Sequence, residues 1–334
     1  MTSPDLSILI PTYERPDELR TCLEGFAVQT EARARFEIVV VDDGSRAELE
    51  TVVRRFAPAL DIALVRIPHG GISAARNAGI ARARARHLAL WDDDQRPTPV
   101  FVAHCLEFHA RHPAAADAAL LHFEPAAAFA DDPVMRWAFH QMYAFPADPS
   151  AHGWLAFWGG AVTCKRSLFA DGGFDPAYRF AEDAELAWRV NARVGLRVHF
   201  VRRTVGVLTR CVTFAQFYRR RYLASYYRHR LAQAHPGTLA PGYGPWTTPE
   251  DYLFRDRAEL ETLLATADAM ERAVRAEPRE RGERRYRLLC ALWRRASLHA
   301  EAAGWLAARE GIAPDFDSPI PGLPAPASVA VGQP

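Results

Sequence analysis

The sequence is almost without lysine. Lys165 is its one lysine, and the remaining basic residues are arginines set among abundant alanine and 24 prolines. That bias fits codon usage in a GC-rich genome better than it fits a binding signature. Formal net charge is only +1, so no global field draws the chain to nucleic acid or to an anionic membrane. Cysteine is sparse and scattered: Cys22, Cys105, Cys164, Cys211 and Cys290 form no CxxC pair and no zinc-like grouping. A reducing cytoplasm is therefore expected, with Cys22, Cys105 and Cys290 buried as small hydrophobes among apolar neighbours. No apolar run approaches the ~20 residues of a membrane span. Neither a basic n-region nor an apolar h-region precedes the first strand-like run, so no signal peptide is visible. Two nucleotide motifs are also missing. A glycine-rich loop after the first strand would mark a dinucleotide dehydrogenase or a methyltransferase, and GKS or GKT would mark a P-loop kinase.

What the chain has is a regular alternation. With 334 residues, 49% of them hydrophobic and 24% charged, it can build a sizeable core. Leu6 to Ile10 is a short apolar run that Pro11 is expected to stop, and it reads as a buried strand. Leu19, Cys22, Leu23 and Phe26 then recur at helical spacing. Ile38 to Val41 predicts a second strand, Leu49 to Phe56 a helix and Ile62 to Ile67 a third strand. Ser73 to Ala85 predicts a helix, His87 to Trp91 a fourth strand and Pro99 to His109 another helix. This rhythm predicts an α/β fold with a mostly parallel sheet flanked by helices. Ligands of such sheets bind beyond the carboxyl ends of the strands. Thr12-Tyr13-Glu14, Asp42-Asp43-Gly44 and Asp92-Asp93-Asp94 each follow a strand directly, so the three are expected on one edge.

Further on the pattern is less regular. Ala119 to Phe123 predicts a strand. An aromatic stretch follows with Trp137, Phe139, Tyr143, Phe145, Trp154, Phe157 and Trp158, for which core packing competes with stacking on a ligand. Ala161 to Cys164 predicts a strand, with a helix from about Arg166. Glu182 to Gly195 predicts a helix closed by that glycine, and Leu196 to Val201 a last strand. Beyond Thr213 the chain reads as helical, broken from Pro236 to Pro249. The organisation expected is a nucleotide-binding and catalytic domain over 1–210, a helical extension over 211–313 and a loose proline-rich tail over 314–334. Arg219, Arg220, Arg221, Arg228 and Arg230 interleave with Tyr218, Tyr222, Tyr226 and Tyr227. That segment suits either an anionic acceptor or surface, or an ordinary helix with a solvated arginine face.

The acidic runs suggest chemistry. Paired carboxylates at a strand end suit a hard divalent cation, which prefers oxygen ligands and is often shared with phosphate. An extended chain would point Asp92 and Asp94 the same way. A solvated acidic turn is the plain alternative. For Glu182, Asp183 and Glu185 the alternative is a helix start enriched in acids.

Read in order, Leu6 to Tyr13, Val39 to Ser45, Ala75-Arg76-Asn77-Ala78-Gly79, Leu90 to Asp94, Gly159-Gly160, Gly172-Gly173-Phe174-Asp175 and Ala181 to Arg189 resemble family 2 of the glycosyltransferases. Those enzymes have the GT-A fold, and the resemblance covers about residues 5 to 205. It implies a metal-dependent, inverting transfer of a sugar from a nucleoside-diphosphate donor, with UDP the expected nucleotide and Mg²⁺ or Mn²⁺ the expected ion. The implied acceptor is a hydroxyl on a glycan, a lipid-linked sugar or a small molecule. No nucleic-acid partner is expected. With a lipid-linked acceptor, peripheral contact at the inner face of the membrane would follow. Pro11, Thr12 and Tyr13 would line the base pocket, with one of Asp42 and Asp43 accepting hydrogen bonds from the base. Arg76 would lie near the base and diphosphate, and Gly159 and Gly160 would admit the donor closely. Asp92 and Asp94 match the DxD pair, with Asp94 the direct metal ligand, and Asp183 matches the general base.

The chain departs from the family pattern twice. Glu14 stands where many relatives have asparagine, and is expected to point away from the diphosphate or to meet an arginine. Val205 to Arg210 also lacks the histidine that often completes the metal shell, while His199 reads as a core or edge residue of the last strand. A sugar nucleotidyltransferase would normally need a glycine-rich phosphate loop that this chain lacks. A catalytically silent nucleotide-sugar-binding scaffold is the other alternative.

Overall fold

The computed structural model describes residues 3–143, 153–236, 248–316 and 318. In chain order the strands and α-helices are β1 (Leu6–Thr12), α1 (Pro16–Phe26), β2 (Phe36–Asp42), α2 (Leu49–Phe56), β3 (Ile62–Arg66), α3 (Gly71–Arg82), β4 (His87–Trp91), β5 (Gln95–Pro97), α4 (Phe101–Arg111), β6 (Asp117–Pro125), α5 (Pro133–Met142), β7 (Ala161–Lys165), α6 (Glu182–Val194), β8 (Arg197–Leu208), α7 (Phe214–Ala234), α8 (Arg257–Ala276) and α9 (Arg279–Arg309). The chain forms two compact units. One comprises Met1–Ala128 and Tyr143–Cys211, the other Phe129–Met142 and Val212–Pro334.

The first unit is built on an eight-stranded sheet of order β3-β2-β1-β4-β7-β6-β8-β5. β3, β2, β1 and β4 run parallel. β7 is antiparallel to β4 and β6, while β8 runs parallel to β6. Every residue of β1 and β2 is buried, which is why those strands are continuous apolar runs rather than alternating ones. The core holds Leu6, Ile8, Ile10, Ile38, Val40, Leu88, Leu90 and Trp91, all at most 1% exposed.

Pro11 does not stop β1. Pairing with β4 ends at Leu9, whereas pairing with β2 continues to Thr12. Beyond Leu9 the strand has a neighbour on one side only, a position where a sheet accommodates a residue without an N–H. The helix expected from Arg166 is only a 3₁₀ turn, Arg166–Phe169. β8 is longer than expected and carries Val205 to Leu208 within it, opposite Phe123 to Pro125 and β5. The short β5 has no sequence signal beyond its proline. α6 ends as its sequence suggests: Gly195 adopts φ 66° and its N–H bonds the Asn191 carbonyl.

The second unit is helical. Thr213 opens α7 with a capping box shared with Gln216. Val134, Ala138, Phe217, Leu289 and Trp293 form its core. Tyr218, Tyr222, Tyr226 and Tyr227 of α7 are buried, while Arg220 and Arg230 are exposed and Arg219, Arg221 and Arg228 half-buried. α7 thus has its tyrosines in the core, but its arginines do not form a fully solvated face: Arg221 pairs with Glu301 and Arg219 donates to the Phe316 carbonyl. The aromatic stretch divides between the units. Trp137 packs on Phe217 and Trp293 in the second, and Tyr143 meets Phe123 and Trp158 in the first. Phe145, most of the Pro236–Pro249 break and most of the 314–334 tail lie outside the described residues. Cys22, Cys105 and Cys164 are buried; Cys290 is only half-buried beside the helical core.

Candidate active site

The order β2-β1-β4 places the carboxyl ends of three parallel strands side by side. The segments after them, Tyr13-Glu14, Asp43-Gly44 and Asp92 to Asp94, therefore share one edge, where a sheet of this kind offers its ligand crevice.

The first two segments meet at His69, a residue whose place the sequence did not mark. Its ring stacks on Tyr13 with centroids 4.3 Å apart, and its Nδ1 lies 2.9 Å from Asp43 Oδ2. The Asp43 carboxylate also accepts the N–H groups of Gly70 and Gly71 at 2.8 and 2.9 Å, closing the N-terminus of α3. Asp42 accepts the Ser45 N–H at 2.8 Å. Thr12, Asp42 and Asp43 are buried, whereas Tyr13 keeps 42% of its surface exposed. Glu14 takes a left-handed conformation, φ 54°. Its carboxylate accepts the Arg46 N–H at 2.8 Å and the Ala47 N–H at 3.4 Å. It therefore meets the backbone of the loop after β2 rather than an arginine side chain.

Asp92, Asp93 and Asp94 do not continue β4. The Gln95 N–H bonds the Asp92 carbonyl at 3.3 Å and closes a turn, so strand alternation does not set the side-chain directions. The arrangement comes from partners instead. Asp93 is buried and accepts a hydrogen bond from Arg15 at 2.9 Å. Asp92, 37% exposed, faces Arg76 at 3.3 Å. The Asp94 side chain is 20% exposed, with Arg15 3.8 Å away, and its carbonyl accepts both the N–H and the hydroxyl of Thr209. Burial, and then the charges of Asp92 and Asp93, push the Asp94 carboxyl up to about 7. A divalent cation relieves that crowding of negative charge. An all-oxygen donor set with no histidine beside it fits Mg²⁺ or Mn²⁺, so the residues present fit the ion the sequence implies. The residues directly after β8 are Thr209, Arg210 and Cys211, so none there is a histidine ligand.

Arg76 is fully enclosed and joins the two acidic segments. It pairs with Glu182 at the start of α6 and with Asp92. Burial alone would lower its affinity for a proton, but the carboxylates of Glu182, Asp92 and Asp183 outweigh that and raise its pKa. Burial likewise raises the Glu182 carboxyl against the pull of Arg76. Glu185 is buried and bonded twice to Arg189, at 2.5 and 2.9 Å. Of the three acids at the head of α6, Glu182 and Glu185 pair with arginines, whereas the Asp183 carboxylate is held by backbone N–H groups. Its Oδ2 accepts the Gly159 N–H at 3.0 Å and its Oδ1 the Ala184 N–H at 2.8 Å.

Gly159 and Gly160 are required by this packing. A Cβ at Gly159 would lie 2.6 Å from the Arg76 guanidinium, and one at Gly160 would lie 2.1 Å from the Asp92 carboxylate. The Asp92 N–H in turn bonds the Gly160 carbonyl at 3.2 Å. One dipeptide thus touches Asp183, Arg76 and Asp92.

Residues 7–158 match the family model described as "Glycosyl transferase family 2". A hyaluronan synthase from Pasteurella multocida is 37% identical over 99 residues, 29% of this chain and 10% of that protein. A validoxylamine A glucosyltransferase from Streptomyces hygroscopicus subsp. jinggangensis is 39% identical over 109 residues, 32% of this chain and 26% of that protein. The chain thus spans between a tenth and a third of the length of the first curated relatives it matches. Among solved structures, a mannosyltransferase from Pyrobaculum calidifontis in complex with GDP-Man and Mn²⁺ superposes with a TM-score of 0.57 at 22% identity, covering 92% of this chain and 88% of that one. Glucosyl-3-phosphoglycerate synthase from Mycobacterium tuberculosis, in complex with Mn²⁺ and UDP, superposes at 0.50 with 14% identity, covering 72% and 82%. The fold is therefore GT-A, and the similarity to glycosyltransferase family 2 lies in residues 7–158.

Proposed function

We propose that the chain transfers one sugar from a nucleoside diphosphate, UDP by preference, to a hydroxyl acceptor with inversion at the anomeric carbon. The observation that carries this is the Gly159-Gly160 dipeptide. Its first residue bonds the carboxylate of Asp183 and its second bonds the backbone of Asp92. A candidate base and a candidate metal carboxylate are thereby held a dipeptide apart.

Tyr13 and His69 form an aromatic surface for the nucleobase, and Asp43 beside them is an acceptor for a base N–H. Asp94 and Asp92 would hold Mg²⁺ or Mn²⁺. When bound, that ion neutralises charge developing on the diphosphate oxygens as the glycosidic bond breaks. Asp183 takes the proton of the acceptor hydroxyl. The hydroxyl oxygen forms its bond to the anomeric carbon while the bond to the diphosphate oxygen breaks and its electron pair leaves with the nucleotide. Arg76, pinned by Glu182, fixes the direction of the Asp92 carboxylate. The acceptor class proposed is a glycan, a lipid-linked sugar or a small hydroxyl compound. Among the described residues no helix is long and apolar enough to cross a membrane, so a lipid-linked acceptor would be met at the surface.

The deciding experiment is a panel of nucleoside-diphosphate sugars assayed for binding and for hydrolysis with and without Mn²⁺. A UDP-sugar that binds in a metal-dependent way and is slowly hydrolysed is expected. Absence of nucleotide binding under both conditions would overturn the donor assignment.

A further inference from the structure

At the opposite end of the sheet from Asp92 and Asp94 lies a second cluster of ligating side chains. β6 runs in the direction of β4, so its first residue, Asp117, sits at the edge away from the proposed donor site. His112 closes α4 just before it, and His199 is the third residue of β8. The parallel register sets Asp117 opposite Arg197 and Ala119 opposite His199. One ligand atom each from His112, Asp117 and His199 come within 4.8 Å of one another. His199 Nε2 is 3.0 Å from Asp117 Oδ1, and the two imidazole rings have centroids 4.0 Å apart. Phe108 packs against both rings, at 4.9 and 5.5 Å, and forms an apolar wall behind them. Asp117 is buried, while both histidines remain partly open to solvent.

From this geometry we propose that His112, Asp117 and His199 bind a borderline divalent cation of the Zn²⁺ class. Two imidazole nitrogens and one carboxylate oxygen select such an ion over Mg²⁺ or Mn²⁺, and water fills the remaining position. The site differs from the DxD pair in place and in chemistry. Its consequence is structural: one ion ties the end of α4 to the first residues of β6 and β8. Two cations stand against it. Arg197 holds Asp117 at 2.8 Å, but its side chain is 59% exposed and free to turn to solvent when the ion takes its place. Lys165 donates to the His112 carbonyl and adds positive charge nearby. Binding is therefore expected in the micromolar range (about −8 kcal/mol) rather than the nanomolar.

The test uses the full chain stripped with chelator and carrying Asp92→Asn and Asp94→Asn, so that the DxD pair cannot compete. Titration with Zn²⁺ by calorimetry, and with Co²⁺ by visible absorption, is then compared in this protein and in versions that add His112→Gln or His199→Gln. One equivalent bound, a Co²⁺ spectrum and a rise of several degrees in Tm with Zn²⁺ are expected, with the equivalent, the spectrum and the rise all lost in either histidine variant. Equal stoichiometry and affinity with and without the histidines would overturn the proposal, as would absence of a Co²⁺ spectrum in the parent. Should one histidine variant fail to fold, the other variant and the parent spectrum decide.

Discussion

Arg76 and Glu182 form an ion pair in which the side chains are only 4% and 10% exposed. They lie 106 residues apart in sequence and join α3 to the head of α6. Taking two charges out of water is costly, and the cost is recovered only while both are present. Arg76→Met is therefore expected to destabilise the first unit by about 3–5 kcal/mol, because Glu182 is left buried and unpaired. Adding Glu182→Leu should return most of that loss while donor affinity stays impaired, since Asp92 has still lost its partner. Urea denaturation of the single and double variants measures the first effect, and nucleotide titration the second. Equal stability of the single and double variants would contradict the pairing.

Asp183→Asn tests the base. The amide oxygen can still accept one of the two backbone N–H groups, so the head of α6 should keep its geometry. The variant is expected to bind nucleotide with unchanged affinity and to lose about 10²- to 10⁴-fold in kcat, the range for a positioned general base. Glu185→Gln should instead lower stability through its pair with Arg189. Turnover within twofold of wild type in Asp183→Asn would move the base elsewhere.

Much of this was legible in the sequence because it depends on local pattern. The buried runs of β1, β2 and β4 and the polar residues directly after them follow from chain order and sheet handedness. What was not legible depends on contacts between distant segments. Nothing near His69 signals that its ring would meet both Tyr13 and Asp43, because that contact arises only when β1 and β2 lie side by side. Strand alternation would set Asp93 opposite Asp92 and Asp94, but in the structure a turn replaces the strand and Arg15 captures the Asp93 side chain. The family resemblance implies that Gly159 and Gly160 make room for a donor. They make room first for Arg76 and Asp92, side chains that lie more than 60 residues away in sequence.

His69→Ala removes the ring stacked on Tyr13 while leaving the backbone caps of Asp43 intact. If the pair forms the base platform, the Kd for nucleotide should rise about 5- to 20-fold, corresponding to a stacking contact of about 1–2 kcal/mol. Affinity for Mn²⁺ alone should be unaffected. Calorimetric titration with UDP and with Mn²⁺ separates the two, and a loss in both would place His69 in fold stability rather than in base contact.

The carboxyl of Asp94, raised to about 7, makes metal binding depend on pH. A cation needs the carboxylate, so protons compete once the pH falls through 7. Apparent Mn²⁺ affinity is expected to weaken about fivefold between pH 7 and pH 6 and to level off above pH 8. For the metal-free fold the sign is opposite. The folded-state pKa lies above the ordinary value of 3.8, so the folded chain holds the proton more tightly than the unfolded one. Stability from this group is present below about pH 4 and is lost as pH rises through 7. Asp94→Asn should abolish Mn²⁺ binding and raise the Tm of the metal-free protein at pH 8 by a few degrees. Electron paramagnetic resonance of free Mn²⁺ and thermal melts at pH 6 and 8 check both halves.

Gly160→Ala adds a single methyl group beside Asp92. The added Cβ would lie 2.1 Å from Asp92 Oδ2 and 2.5 Å from its Cγ, closer than real contacts allow. Relief can come in two ways. The Asp92 side chain can rotate away, which breaks its contact with Arg76 and removes it from the metal site. Alternatively the backbone can shift, which disturbs the Asp92 N–H to Gly160 carbonyl bond and the Gly159 bond to Asp183. The first route is the easier, because Asp92 is 37% exposed and has solvent to turn into. Gly160→Ala should therefore lower stability by no more than about 1 kcal/mol, the usual range for a residue free to move. It should weaken Mn²⁺-dependent nucleotide binding at least tenfold, while nucleotide binding without metal changes little. Serine at the same position would crowd Asp92 no less, and the same loss is expected of it. A Gly160→Ala protein with full metal-dependent affinity would show that Asp92 is not needed for the ion, leaving Asp94 as its one carboxylate.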